Sequence, residues 1–354
     1  MKVVVEEAWD AISAKPTGIK NFTIHVKNLL KNIPYETIVF NKDFLTRIKP
    51  AILMKLVYFI WLNTVFLYKL CKLKEDVIVI GVKYFVPFFK IPNIKYYPVV
   101  HDLLAVKYKK KFKFGSFIVR LMTYNAIRTG DKIITVSETA KKEITEFFNY
   151  PENKIEVLYN TYSVSGKSKL DSQFVLNKYN LKAKGYILSV SSLVDNKNID
   201  VLINAFNNIS ERHQEIMLVI VGNGKNRKKY EQMACDNVVF TGYVANEELK
   251  ILYENAKMYV FVSTNEGFGI PIADAQLKGV PVLCSDIPVF REVASDNGAF
   301  FVNVSVEDVA NGIEQILGNE YLQEKLIKTG KDNVKRYESE ILCKQLIGIL
   351  EGVD

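Results

Sequence analysis

Histidine and cysteine are scarce in this chain: 354 residues carry three His and four Cys. Cys71, Cys235, Cys284 and Cys343 form no CxxC pair and have no histidine at ligand spacing, which argues against a structural zinc site or a disulfide framework. That usage suits a reducing, cytosolic compartment. The opening MKVVVEEAWDA has an apolar run too short for a signal peptide and meets acids at once, so it reads as a first strand. A P-loop is also missing. Gly166-Lys167-Ser168 has Thr161 where the leading glycine belongs, and it lacks the flanking strand and helix. Gly222-Asn223-Gly224 has no third glycine at 225 to 227, which sets aside a dinucleotide fingerprint.

What is present is an ordinary globular composition, 49% hydrophobic and 24% charged, which excludes wholesale disorder. The length suggests two domains. Charge is divided unevenly between them. Residues 1 to 165 hold 26 Lys+Arg against 14 Asp+Glu, and the remainder holds 21 against 25. A basic first half suits an anionic membrane, a phosphorylated substrate or nucleic acid.

Short apolar runs recur with helix-length segments between them. In the first half they are 2 to 7, 36 to 40, 76 to 82, 96 to 100, 132 to 137 and 154 to 160. In the second half they are 186 to 193, 216 to 224, 237 to 244, 257 to 264, 279 to 286 and 298 to 303. Strands of this kind, apolar throughout and alternating with helices, predict parallel sheets covered on both faces. The fold class is therefore α/β, with two doubly wound Rossmann-like domains. We place the first at 1 to 165 and the second at 166 to 338, with the polar stretch 161 to 173 as linker. A last helix, 339 to 354, is expected to cross back to the first domain.

Two segments of the first half stand apart. ILMKLVYFIWLNTVFLYKL (52 to 70) has the length of a bilayer span. It also fits a buried crossover helix, or a helix lying in the membrane interface with its Trp, Tyr and lysines at the rim. A span would sever a βαβ unit. Downstream, Lys107, Lys109, Lys110, Lys111 and Lys113 alternate with aromatics ahead of an apolar helix. They read either as a solvated face or as a contact for lipid phosphate or acceptor.

In open α/β sheets ligands bind beyond the carboxyl ends of the strands. Polar residues placed just after a strand therefore carry the most information. STNEGFGIPIADAQLKGVPVLCSD (263 to 286) follows such a strand and leads through a glycine turn into a helix that has Pro271 at its start. The N–H groups of Gly269 and Ile270 and the helix N-terminus favour an anion there. Glu266 before the turn and Asp274 one helical turn inside it suit hydroxyls on either side of that anion, a sugar for the first and a ribose for the second. His101 stands at the end of the YYPVV strand. Gly18 lies in AKPTGIKNF at the start of a helix.

These residues resemble the E-x7-E region of family 4 retaining glycosyltransferases, which have the GT-B fold of two Rossmann-like domains facing across a cleft. The resemblance runs through VVHDLL, DKIITVSETAKKEI, KIEVLYN, SSLVDNKNIDVLINAF, IVGNG and VVFTGYVANEEL, in order. It implies that Glu266 and His101 contact the transferred sugar and that the turn at Phe268, Gly269 and Ile270 holds sugar and diphosphate. By the same resemblance Asp274 holds the ribose, although the family usually has Glu there. Lys197 matches the lysine that neutralises the diphosphate, and Ser192 stands where many members have arginine. Gly222 would lie under the nucleotide, Gly242, Tyr243 and Val244 would cradle the base, and Gly18 would let acceptor or diphosphate approach.

The resemblance further implies transfer from a nucleoside-diphosphate sugar to a glycan, including lipid-linked saccharides of bacterial surface polysaccharide. The anomeric configuration is kept, no protein base is assigned, and both substrates are oriented in the interdomain cleft. No D-x-D motif occurs, so neither a catalytic metal nor another cofactor is expected. The expected location is cytoplasmic, with peripheral contact on the inner face of the membrane. A sugar-nucleotide epimerase or phosphorylase on the same fold, a binding-only relative and a nucleic-acid-binding protein are the competing readings.

Overall fold

The computed structural model describes residues 2–7, 18–40, 43–49, 51–73, 75–107 and 115–352. Two compact units are present, Met1–Thr161 with Glu338–Asp354, and Tyr162–Tyr337. In the first, strands β1 (Lys2–Glu6), β2 (Glu36–Val39), β3 (Val77–Gly81) and β4 (Ile94–Pro98) form a parallel sheet in the order β2-β1-β3-β4. A bridge from Val99 to Ile134 leads on to the parallel pair β5 (Ile133–Thr135) and β6 (Ile155–Val157). The inner strands β1 and β3 are buried on both faces, whereas the edge strand β2 is mostly exposed. Val3, Val4 and Val5 are all buried.

The second unit holds β7 (Tyr186–Val190), β8 (Met217–Val221), β9 (Val238–Gly242), β10 (Met258–Phe261), β11 (Val282–Ser285) and β12 (Phe300–Val302). All pairings are parallel, in the order β12-β11-β10-β7-β8-β9. The chain runs outward from β7 to β9, then returns to β10 beside β7 and runs the other way. The junction of β7 and β10 is thus the point where the winding reverses, and there the helices on opposite faces diverge and leave a crevice at the strand ends. Leu202, Ile203 and Phe206 of helix Ile199–Ser210 pack with Ile313 and Ile316 of helix Val306–Leu317 in the core.

All twelve strand segments read from the sequence are present, most of them one to three residues shorter at an end, while β4 lies two residues earlier than read. The terminal helix Ser339–Glu351 belongs to the first unit. There Tyr35 donates to a Glu351 carboxylate oxygen at 2.6 Å, and the Cys343 thiol lies 3.8 Å from the Leu29 carbonyl.

The apolar segment at 52 to 70 forms helices Ala51–Trp61 and Leu67–Cys71 joined by a π turn at Leu62–Phe66. Leu53–Cys71 is long and apolar enough to cross a membrane. Yet Tyr58, Trp61, Leu62, Phe66 and Leu70 are buried in the first unit's core, as a crossover helix between β2 and β3 requires. The burial is one-sided, because Leu53, Leu56, Ile60, Val65 and Tyr68 are exposed along the opposite side. Of the basic cluster, Lys107 pairs with Glu143 at 3.0 Å. Lys109, Lys110, Lys111 and Lys113 lie outside the described residues.

Candidate active site

The winding reversal in the second unit collects most of the residues singled out there. After β7 the chain makes a short 3-10 turn, Asp195–Lys197, closed by Asn198 in the left-handed conformation, before helix Ile199–Ser210 starts. After β10 it makes the turn that leads to helix Ile270–Leu277. Backbone and side-chain hydrogen bonds stitch the two turns together. Thr264 N–H and the Ser263 hydroxyl both donate to the Asn196 carbonyl at 3.0 Å, and the Asn198 amide donates to the Val262 carbonyl at 2.8 Å. Ser285 on β11 donates to the Ser263 carbonyl at 2.5 Å, which fixes the second turn from its other side.

On this frame the Lys197 ammonium and the Glu266 carboxylate form a direct ion pair. Both are largely shielded, with side-chain exposures of 14% and 18%. The Lys197 ammonium also lies 5.4 Å from the Phe261 ring centroid, a cation–π contact. Gly269 follows with φ 111°, in the left-handed region, so the chain can turn sharply into the helix. No side chain caps that helix start, and Pro271 occupies its first turn. The helix N-terminus beside a lysine is an electropositive seat for phosphate, and the carboxylate beside it suits sugar hydroxyls. The Phe268 side chain is not part of the open face. It is buried edge-on against Tyr337, with ring centroids 5.2 Å apart, so only its backbone can serve a ligand.

Asp274, expected at the ribose, is held by hydrogen bonds within the second unit. Asp274 is only 2% exposed. One carboxylate oxygen accepts from the Ser163 and Val164 N–H groups at 2.5 and 3.1 Å, and the other meets the Ser163 hydroxyl at 2.5 Å. Burial pushes its pKa up to about 6 against the pull of those hydrogen bonds. Ser163 is the residue that sequence reading missed, and a partner 111 positions away leaves no local signal.

The remaining residues sit at neighbouring strand ends. Gly222 follows β8 at φ 138°, and a Cβ there would stand 1.8 Å from the Ser191 carbonyl oxygen. Its close approach is therefore to the chain leaving β7. Gly222→Ala is expected to lower unfolding free energy by about 3 kcal/mol or more, since backbone must move; urea denaturation measures this. Ser192 is exposed beside that contact. After β9, Tyr243 projects outward at 64% exposure while Val244 turns inward.

In the first unit, His101 follows β4. Its Nε2 lies 2.9 Å from the Val82 carbonyl, an acceptor, so that nitrogen carries the proton. Phe22 packs edge-on against the ring at 4.9 Å. Val82 directly follows β3, which neighbours β1 where this sheet reverses its own winding. Gly18 opens helix Gly18–Leu30 with open space around it. Among the described residues no three His, Cys, Asp or Glu side chains gather at metal-holding distance.

Two doubly wound units, the second with a Lys–Glu pair beside a glycine turn at its winding reversal, place the chain among α/β proteins of paired Rossmann-like domains. The family described as Glycosyl transferases group 1 matches residues 171–333. The chain is 30% identical to the O-antigen chain mannosyltransferase RfbU of Salmonella typhimurium over 316 residues, 88% of this chain and 82% of that protein. It is 28% identical to an uncharacterised glycosyltransferase of Methanocaldococcus jannaschii, over 73% of this chain and 70% of the relative. The crystal structure of Anabaena HepE with UDP and glucose superposes over 99% of both chains, with a TM-score of 0.72 at 16% identity. The chain belongs to the group 1 glycosyltransferases, and its fold is GT-B.

Proposed function

We propose that the chain is a retaining glycosyltransferase that moves a hexose-type sugar from a nucleoside diphosphate to a lipid-linked glycan of a bacterial surface polysaccharide. The observation that carries this reading is the Lys197–Glu266 pair beside the uncapped helix start at the β7/β10 reversal. The likeness to an O-antigen mannosyltransferase supports the acceptor class.

In this reading the donor exchanges partners within the pair. Its diphosphate takes Lys197 and the N–H groups at Gly269 and Ile270, while a sugar hydroxyl donates to Glu266. The bond from the anomeric carbon to the phosphate oxygen breaks, and the diphosphate keeps the electron pair. The acceptor hydroxyl oxygen bonds to the same face of that carbon, and its proton passes to the departing diphosphate. Lys197 stabilises the charge that develops on the leaving group. His101 orients the sugar, with its ring held through Nε2–H by the Val82 carbonyl. The reaction so described uses no metal and no other cofactor. The protein works at the cytosolic side of a membrane, in peripheral contact with it.

The test is release of free nucleoside diphosphate, measured with and without a lipid-linked saccharide. Release that depends on acceptor supports transfer, and equal release without it sinks the reading in favour of hydrolysis or epimerase-type chemistry. Lys197→Ala should lower kcat by about 10²- to 10³-fold, with part of the loss recovered in Lys197→Arg.

A further inference from the structure

One face of the first unit joins exposed apolar side chains to an excess of positive charge. The crossovers from β2 to β3 and from β4 to β5 run the same way across the sheet, so their helices lie on the same face. The loop after β3 ties them together. Phe88 N–H donates to Asn63 Oδ1 at 2.8 Å, and the Phe88 ring packs edge-on against Phe59, both partners lying in the β2-to-β3 crossover. Asn125 and Arg128 of helix Gly115–Thr129 donate to the Val86 and Phe88 carbonyls, each at 3.0 Å.

Outward from this joint point Leu56, Ile60, Phe89, Phe117, Leu121 and Tyr124, and Phe89 is 67% exposed. The π turn keeps the stripe in phase. Leu62, Phe66 and Leu70 face the core while Val65 and Tyr68 stay outside. The polar groups of the stripe are already occupied, since Thr64 donates to the Ile60 carbonyl at 2.7 Å and Asn63 to the Phe59 carbonyl at 3.0 Å. Moving them out of water therefore costs little.

Charge identifies the partner. The two helix segments that form the face carry Lys55, Lys69, Arg120 and Arg128. Neither helix segment, Ala51–Cys71 or Gly115–Thr129, contains an acid. A second copy of this face would meet like charge, whereas lipid phosphate meets opposite charge. We propose that the face formed by these two helices and Phe89 seats the protein on an anionic bilayer, its apolar stripe in the acyl boundary and its cations among the phosphates. This rests on the peripheral reading above and gives it residues.

The test uses the full chain with vesicles of phosphatidylcholine, alone or mixed with phosphatidylglycerol. Wild-type protein should sediment with the mixed vesicles and much less with the neutral ones. Leu56→Ser with Ile60→Ser, and separately Phe89→Ser with Phe117→Ser, should each weaken binding by at least about tenfold. Both should keep the wild-type thermal shift with nucleoside diphosphate, which shows that they fold. Glu266→Ala should bind vesicles like the wild type. Unchanged vesicle binding by both double variants overturns the proposal, as does equal binding to neutral vesicles. Loss of self-association with vesicle binding intact overturns it too, by assigning the face to a second copy. Failure of acceptor-dependent transfer in the wild type would strike the catalytic reading instead and leave the vesicle result standing.

Discussion

Glu266→Ala is expected to reduce sugar transfer by at least about 10³-fold while the protein stays folded. The side chain stands in a turn and not in the core, and its partner is the Lys197 ammonium. Its loss leaves that cation without its anion at a partly shielded site. The stability cost should be about 1 kcal/mol, well below the stability of a domain of this size. Binding should divide by ligand part. Free nucleoside diphosphate should still raise the melting temperature, because Lys197 and the Gly269–Ile270 N–H groups remain. The additional shift given by a nucleoside-diphosphate sugar should disappear, because the hydroxyl acceptor is gone. Transfer within tenfold of wild type would refute the site assignment, and a collapsed melting curve would move Glu266 from ligand contact to fold support.

Asp274 should show a large effect of a different kind, on stability and on its pH dependence. Asp274→Ala leaves two N–H groups and a hydroxyl, from Ser163 and Val164, without their acceptor in a buried place. The cost should be roughly 3–5 kcal/mol. Asp274→Asn behaves differently. Its Oδ1 can still accept from both N–H groups, and its Nδ2 can donate to the Ser163 oxygen.

The sign of the pH effect follows from the direction of the shift. The carboxyl's pKa stands near 6 in the folded protein against an ordinary 3.8. Between those values the folded state holds a proton that the unfolded chain has lost. The associated stability is complete below about pH 4 and is lost as pH rises through 6, about 3 kcal/mol in all. The unfolding free energy of wild type relative to Asp274→Asn should fall by that amount from pH 4 to pH 7. Parallel profiles would contradict it. Nucleoside diphosphate affinity should change less than about threefold in the Asn variant, whereas a tenfold loss would restore the ribose role.

These residues also show where sequence reading reaches and where it stops. β7 to β12 were legible because a strand buried on both faces must be apolar at every position, and that pattern needs only a few neighbouring residues. The turn at Glu266 to Ile270 was legible for the same local reason: a strand end, glycines and a proline in sequence define a helix start. Lys197 lies 69 positions from Glu266. It entered through the family resemblance alone, and the pairing of parallel β7 with β10 is what brings the two together. For the segment at 52 to 70, composition left a span, a buried helix and an interface helix open. The phase of the π turn, and the sheet beneath it, decided which side chains were covered.

The sequence by itself determined the α/β class, the order of strands and helices, and the identity of the turns that end at strand tips, because each is written in short-range periodicity and backbone preference. Only the tertiary structure decided that Lys197 neutralises Glu266, that Asp274 holds Ser163 and Val164, and that the apolar crossover helix leaves one side open. Those outcomes depend on which distant segments share a sheet edge or a helix face, and on burial, which no single stretch of chain fixes alone.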